Sequence, residues 1–272
     1  MPVETVVARV NRNARGMTFL VKAGGVSASG KLVRSDGKSE AFDANGVLFF
    51  RRPHYLYMEL QNSLAGKIEI GSNDNEFWYW ERLKAPRYFT GHHATMGRPW
   101  ETDVPLRPDQ FLDMLGLQEL PLRSGGAAGT FKVGKEHYLL DFYDKDDTGR
   151  TYRAKELAIS RRPPFLVTTI TYYNPQNRPW MRADLLGYRP IEGTLVLAPR
   201  RIEVKSLEDA SRLTVEFDNM RPSDNRQVEE KRIARSPLQR GEADIGEIIR
   251  MDRSPVVPKT GSQPVSSKAA ER

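Results

Sequence analysis

Apolar residues recur at Val3, Val6, Val7 and Val10, three or four positions apart, with Glu4, Arg9 and Arg12 off that stripe. The spacing predicts an amphipathic helix over 2–14, ended by Gly16. From residue 18 the period changes to two. Alternating segments at 18–23, 26–34, 38–42, 47–52, 55–61, 67–71, 76–81 and 87–90 read as short strands. Turn-forming runs such as Ser35-Asp36-Gly37, Ala44-Asn45-Gly46 and Ser72-Asn73-Asp74-Asn75 separate them. Many consecutive short strands with tight turns predict an antiparallel meander.

The alternation breaks once. Residues 108–117 open on Pro108-Asp109, a helix-start signal, and carry Phe111, Leu112, Met114 and Leu115. These are too many apolar side chains for a one-sided surface helix of that length, so the segment is covered on more than one side. Strands resume at 129–133, 138–144, 151–159, 165–173, 180–188, 201–205 and 213–218. The class is mainly β (α+β), with helices on one face of an antiparallel sheet. A strongly curved sheet of this many strands encloses more volume than its own side chains fill, and becomes a ligand cavity or a cleft plugged by helices. Two readings of 2–14 and 108–117 stay open: helices packed as ordinary core, or a displaceable lid over an apolar cleft.

Composition sets a boundary. All 25 aromatic residues lie at or before Phe217 and the last 55 residues hold none, so the domain is expected over 1–220 with an extension over 221–272. Residues 254–272, rich in Pro, Ser and charge, cannot bury enough apolar area to offset their ordering entropy and read as disordered. Between these, 227–233 and 243–251 read as short helices or docked strands, with Ile245, Ile248 and Ile249 the apolar cluster available to dock. The net charge of +7 divides into +3 over 221–272 and +4 over the remainder. No basic block forms, and the pairs Arg51-Arg52, Arg161-Arg162 and Arg200-Arg201 are scattered, which argues against nucleic acid as a partner. The chain has no cysteine, excluding disulfides, thiolate metal sites, a thiol nucleophile and a lipid-attachment cysteine within it. No stretch approaches the roughly 20 apolar residues of a spanning helix, and the first residues lack the apolar run of a signal peptide. The chain therefore reads as cytoplasmic or as a mature form without its leader.

Catalytic signatures are missing from the sequence. The glycine runs at 23–25 and 124–129 lack the Lys-Ser/Thr of a phosphate loop, and no Gly-x-Ser-x-Gly elbow occurs. Of His54, His92, His93 and His137, only the adjacent pair is suggestive, and on a strand those two rings point to opposite faces. The run Asp144-Lys145-Asp146-Asp147-Thr148-Gly149 resembles half a calcium loop but lacks its distal glutamate, and reads as a hairpin turn. Neither metal nor cofactor is expected, and the protein reads as non-enzymatic, with a hydrolase the weakest alternative.

Residues 46–80, GVLFFRRPHYLYMELQNSLAGKIEIGSNDNEFWYW, carry the most specific pattern. A glycine-led apolar strand ends in Arg-Pro, a second apolar strand follows, and a Gly-Ser-Asn-Asp turn leads into Phe-Trp-Tyr-Trp. This stretch resembles the outer-membrane lipoprotein carrier superfamily, LolA and LolB, and in particular LolA-like envelope proteins. The order of an N-terminal helix, strands, a mid-chain helix and returning strands ending at Leu213, Val215 and Phe217 is similar as well. The resemblance implies an incomplete antiparallel β-barrel, a half-barrel, whose apolar concave face takes up acyl chains of a lipid or lipoprotein for transport to the outer membrane. It implies helices acting as a lid, and an arginine before the proline that latches the lid through its backbone carbonyls. The matching position is Arg52. It also implies a place in the periplasm or on the periplasmic face of the outer membrane, with a membrane surface as a further partner.

With Arg52 on the concave side, strand alternation places Leu48 and Phe50 beside it and turns Val47, Phe49 and Arg51 outward. On the next strand Leu56, Met58 and Leu60 form the uniformly aliphatic face. These five are the expected ligand-binding residues, and Phe111, Leu112, Met114 and Leu115 the expected lid. The same side chains also read as ordinary core, with Arg52 ending a strand in solvent. The alternative function on the same fold is an envelope-stress sensor or protein-interaction module of the sigma-factor regulator type, its tail binding a protein partner.

Overall fold

The computed structural model describes residues 1–33, 37–62, 66–82, 85–93, 107–121, 128–146, 148–224, 229–230, 233–243 and 245–251. Helix α1 (Val3–Arg15) leads into strands β1 (Val21–Val33), β2 (Ser39–Arg51), β3 (Tyr55–Asn62), β4 (Gly66–Ser72), β5 (Glu76–Arg82) and β6 (Arg87–His92). Helix α2 (Pro108–Met114) precedes β7 (Ala128–Val133), β8 (His137–Lys145), β9 (Thr151–Ser160), β10 (Val167–Tyr173) and β11 (Pro179–Leu186). The short pair β12 (Arg189–Pro190) and β13 (Leu197–Ala198) is followed by β14 (Arg201–Ser206), β15 (Arg212–Pro222), the single turn α3 (Pro237–Arg240) and β16 (Glu247–Arg250).

Fourteen strands form one sheet in the order β16-β6-β5-β4-β3-β2-β1-β15-β14-β11-β10-β9-β8-β7. Its two edges, β16 and β7, do not meet, so the sheet is open. One face, here the inner face, carries both helices. Side chains from nearly every strand, including Leu48, Met58, Ile70, Phe77, Phe89, Leu157, Ile170, Ile202 and Phe217, join one buried cluster with Val6, Val10, Phe111 and Met114 of the helices. The alternate residues of β2 to β6 are buried too. Phe49 and Tyr57 pack with Leu20 and Ile233, while Trp78, Trp80 and Tyr88 form a further cluster touched by Ile245. The outer face of β2–β6 is thus covered by the segment 229–251.

Several sequence expectations change on contact with the structure. The segments 18–23 and 26–34 fuse into β1, with the glycines at 24 and 25 forming a bulge between Ala23 and Val26. Ala44-Asn45-Gly46 is not a turn but part of β2, paired with Gln61 and Leu60 of β3. Gly46 is there for close approach, since a Cβ would lie 1.7 Å from the Glu59 carbonyl oxygen. Gly16 ends α1 in a right-handed conformation, and its need is again space, with Val196 2.9 Å from where a Cβ would stand. The helix expected over 108–117 stops at Met114. Two expected turns hold: the Asn73 side-chain oxygen accepts the amides of Asn75 and Glu76, both at 2.9 Å, and Asp146 caps the β8–β9 hairpin by accepting from Thr148 and Arg150. The expectation for 254–272 lies outside the described residues, as do most of the glycine run at 124–129 and Ser35-Asp36.

Candidate functional site

Arg52 follows β2 directly, and its guanidinium joins three separate pieces of chain. Nη1 donates to the Ala14 carbonyl in the last turn of α1, and Nη2 donates to the Glu119 carboxylate beyond α2. Arg15 Nε donates to the other Glu119 oxygen at 3.0 Å, and Gln118 Nε2 donates to the Pro53 carbonyl at 2.9 Å. The last carbonyls of a helix lack intrahelical partners and sit at its negative end, so a fixed cationic fork suits them. Hydrogen bonds from Arg15 and then Arg52 hold the Glu119 carboxyl below the usual carboxylate range. The Arg52 side chain is 18 % exposed, keeping its charge at the rim of an otherwise apolar face.

Each helix has its own anchor. Asn11, on the buried stripe of α1, donates from Nδ2 to the Leu120 carbonyl and accepts the Leu120 amide, both at 2.8 Å. Asn13 does the same with Leu197 in β13, again at 2.8 Å for both bonds. Two side-chain amides therefore pair with backbone as a neighbouring strand would. On α2, Asp113 accepts from Lys155 Nζ at 2.6 Å and from the Tyr172 hydroxyl at 3.4 Å. Burial pushes the Tyr172 phenol up, so it stays a donor.

The five expected ligand-binding residues and the four expected lid residues all lie in the inner-face cluster. Leu48 pairs across the strands with Met58, and Phe50 with Leu56. Phe111 and Met114 are fully buried, and Phe111 meets Phe217 edge-on at 6.3 Å between ring centroids. Side chains thus fill the space beneath the helices, and anything entering there displaces them. A shallow groove of about 690 Å³ lies elsewhere, along β1, β2, β3 and β15, with a mixed lining that includes Phe42 and Ala41 beside Asp43, Asn45, Gln61 and Arg212.

Sequence reasoning missed Asn11, Asn13 and Glu119. Asn11 was detectable as a polar residue in phase with Val7, Val10 and Ala14, but its partner lies 109 positions away. Of the histidines, His93 donates to the Asn73 carbonyl at 2.9 Å, stacks near His54 at 5.1 Å, and is held neutral by burial, while His92 is exposed. Among the described residues no group of three or more His, Asp or Glu stands close enough to hold a metal ion.

No protein-family model and no curated protein matches the sequence. Solved structures do match. A DUF1329 family protein from Desulfovibrio piger superposes with a TM-score of 0.55 at 12 % identity, covering 88 % of this chain and 99 % of that one. A LolA superfamily protein from Nitrosomonas europaea superposes with a TM-score of 0.50 at 10 % identity, covering 82 % and 96 % respectively. At such identity the likeness concerns the fold alone: the open sheet with its helices on one face is a LolA-like fold.

Proposed function

We propose that this protein is a non-enzymatic envelope protein that holds acyl chains of a lipid or lipoprotein between the inner face of its sheet and its helices. The sheet then acts as a half-barrel, α1 and α2 as a lid, and Arg52 as the latch. The observation that carries this reading is the Arg52 guanidinium tied to Ala14 and Glu119 above a wholly apolar face formed by Leu48, Phe50, Leu56, Met58 and Leu60. The LolA-like fold and the lipoprotein-carrier pattern of residues 46–80 support the same reading.

Magnitudes make the exchange workable. Burying a chain of about sixteen carbons gains on the order of 12 kcal/mol at roughly 0.8 kcal/mol per CH₂. Re-exposing Phe111, Leu112, Met114 and Leu115 costs about 1.5–3 kcal/mol each, or roughly 6–12 kcal/mol together. The two nearly balance, so loading is favourable and remains reversible, as carriage requires. Basic residues near the rim would assist docking on anionic headgroups. Native mass spectrometry of the protein mixed with palmitoyl phospholipid is expected to show a one-to-one complex. Complete absence of acyl adducts at saturating lipid refutes the carrier function.

A further inference from the structure

The outer face of β2–β6 is built around a charge. Glu69 is fully buried, and its carboxylate accepts from Trp78 Nε1 at 3.0 Å and from Arg240 Nη2 at 2.9 and 2.8 Å, while the Tyr57 hydroxyl, which donates to Glu59 at 2.5 Å, stands 3.4 Å away. A carboxylate out of water needs matched donors. Trp78 belongs to the sheet and holds it in place, whereas the guanidinium that neutralises it arrives from the C-terminal segment. Arg240 also lies over the Tyr57 ring, 6.0 Å from its centroid. Around this centre, Asn73 Nδ2 donates to the Ala234 carbonyl at 3.0 Å, Ile245 rests on the Trp78, Trp80 and Tyr88 cluster, and β16 adds to the sheet edge by pairing in parallel with β6 from Glu247↔Arg87 to Arg250↔Thr90. Carboxylate, aromatic walls and an open strand edge together make a receptor for an extended peptide bearing an arginine.

The present occupant fits it incompletely. Trp80 Nε1 and Glu76 Oε1 on the sheet are buried without hydrogen-bond partners. The Tyr88 hydroxyl is met by the Ser236 and Thr90 side chains, and Ser236 also caps α3 at the Gln239 amide. Trp80 is itself fully buried, so its indole N–H points at the occupant and not at water. A segment placing a polar acceptor there would satisfy the Trp80 donor that this one leaves idle.

We propose that the outer face is a second binding site, for an extended arginine-bearing segment of a partner protein that adds a strand to β6 and seats its guanidinium on Glu69, and that residues 229–251 are its built-in competitor. The site stands on the opposite side of the sheet from the acyl face and does not depend on it. Being tethered, the competitor acts at an effective concentration on the order of millimolar, so a partner engages when the segment is released.

The test uses the full chain and a labelled synthetic peptide reproducing residues 233–251. Two variants release the segment differently. Arg240→Ala removes the guanidinium, and Gly246→Val, at φ +77°, places a Cβ 2.0 Å from the Pro86 carbonyl oxygen and expels β16. Both are expected to speed amide exchange across 87–90 and to bind the peptide at least ten-fold more tightly than the parent chain. A peptide with alanine at the position of Arg240 is expected to lose that binding, and uptake of an acyl probe is expected to stay unchanged. Unaltered exchange in both variants, or equal binding of the two peptides, overturns the proposal. So does conversion of the variants into dimers with exchanged segments, which would assign the face to a second copy of this chain.

Discussion

Arg52 ties the last turn of α1 to the chain beyond α2 at the rim of an apolar face. Replacing it with leucine removes the contacts to Ala14 and Glu119, and hydrogen bonds to charged groups are each worth about 1.5–3 kcal/mol. Arg52→Leu is expected to speed amide exchange in the last turn of α1 and across 115–120, with Arg52→Lys restoring charge but not the fork. The same rim is sensitive to acid. Because Arg15 and Arg52 depress the Glu119 carboxyl in the folded state, the unfolded chain takes up the proton first as pH falls. The Glu119 contribution is thus complete above the ordinary carboxylate range, near pH 4.5, and is lost as pH falls through the depressed folded value. Protection of the amides in the last turn of α1 should therefore fall as pH drops below the ordinary carboxylate range, and Glu119→Gln should show that lower protection already at pH 7. Arg52 was singled out through the resemblance of its Arg-Pro junction to the carrier pattern, and the structure places it against Ala14 and Glu119. Glu119 was not, because nothing local marks a glutamate that meets two arginines 104 and 67 positions away.

At the scale of elements, periodicity identified the sheet because half-buried strands must alternate, and it misplaced the turn at 44–46 because composition alone cannot separate a turn glycine from one that admits a neighbouring backbone. Gly71 is of the second kind: a Cβ there would stand 2.0 Å from the Trp78 ring. Gly71→Val is expected to lower stability by about 3 kcal/mol, read as a lower urea midpoint. The helices are weaker elements. Helix α2 has 7 residues and α1 has no side-chain cap at its start, so both take their stability from tertiary contacts. Asn11 is one such contact. Asn11→Ala leaves the Leu120 amide and carbonyl unpaired and is expected to cost about 1–3 kcal/mol, measured by thermal or urea unfolding.

Over the whole molecule, one sheet is covered on both sides by different agents, helices within and the C-terminal segment outside. The inner side was legible from the sequence, since the aliphatic alternation of β2 and β3 and the Arg-Pro junction both concern neighbours in the chain. The outer side was not. Trp78 and Trp80 pack beneath the C-terminal segment and face away from the inner face, and a salt bridge between Glu69 and Arg240 spans 171 positions. Truncation after residue 222 is expected to uncover this aromatic surface, with increased dye binding and self-association along the bared β6 edge. The carrier account itself rests on which face meets the acyl chain. A palmitoyl probe carrying a photoactivatable diazirine on its chain, irradiated with the full protein and mapped by mass spectrometry, measures that directly. The account predicts adducts on β2, β3 and α2 at residues such as Phe50, Met58 and Met114, and none on Trp78 or Trp80. Adducts confined to the outer face, or none at saturating probe, would contradict it.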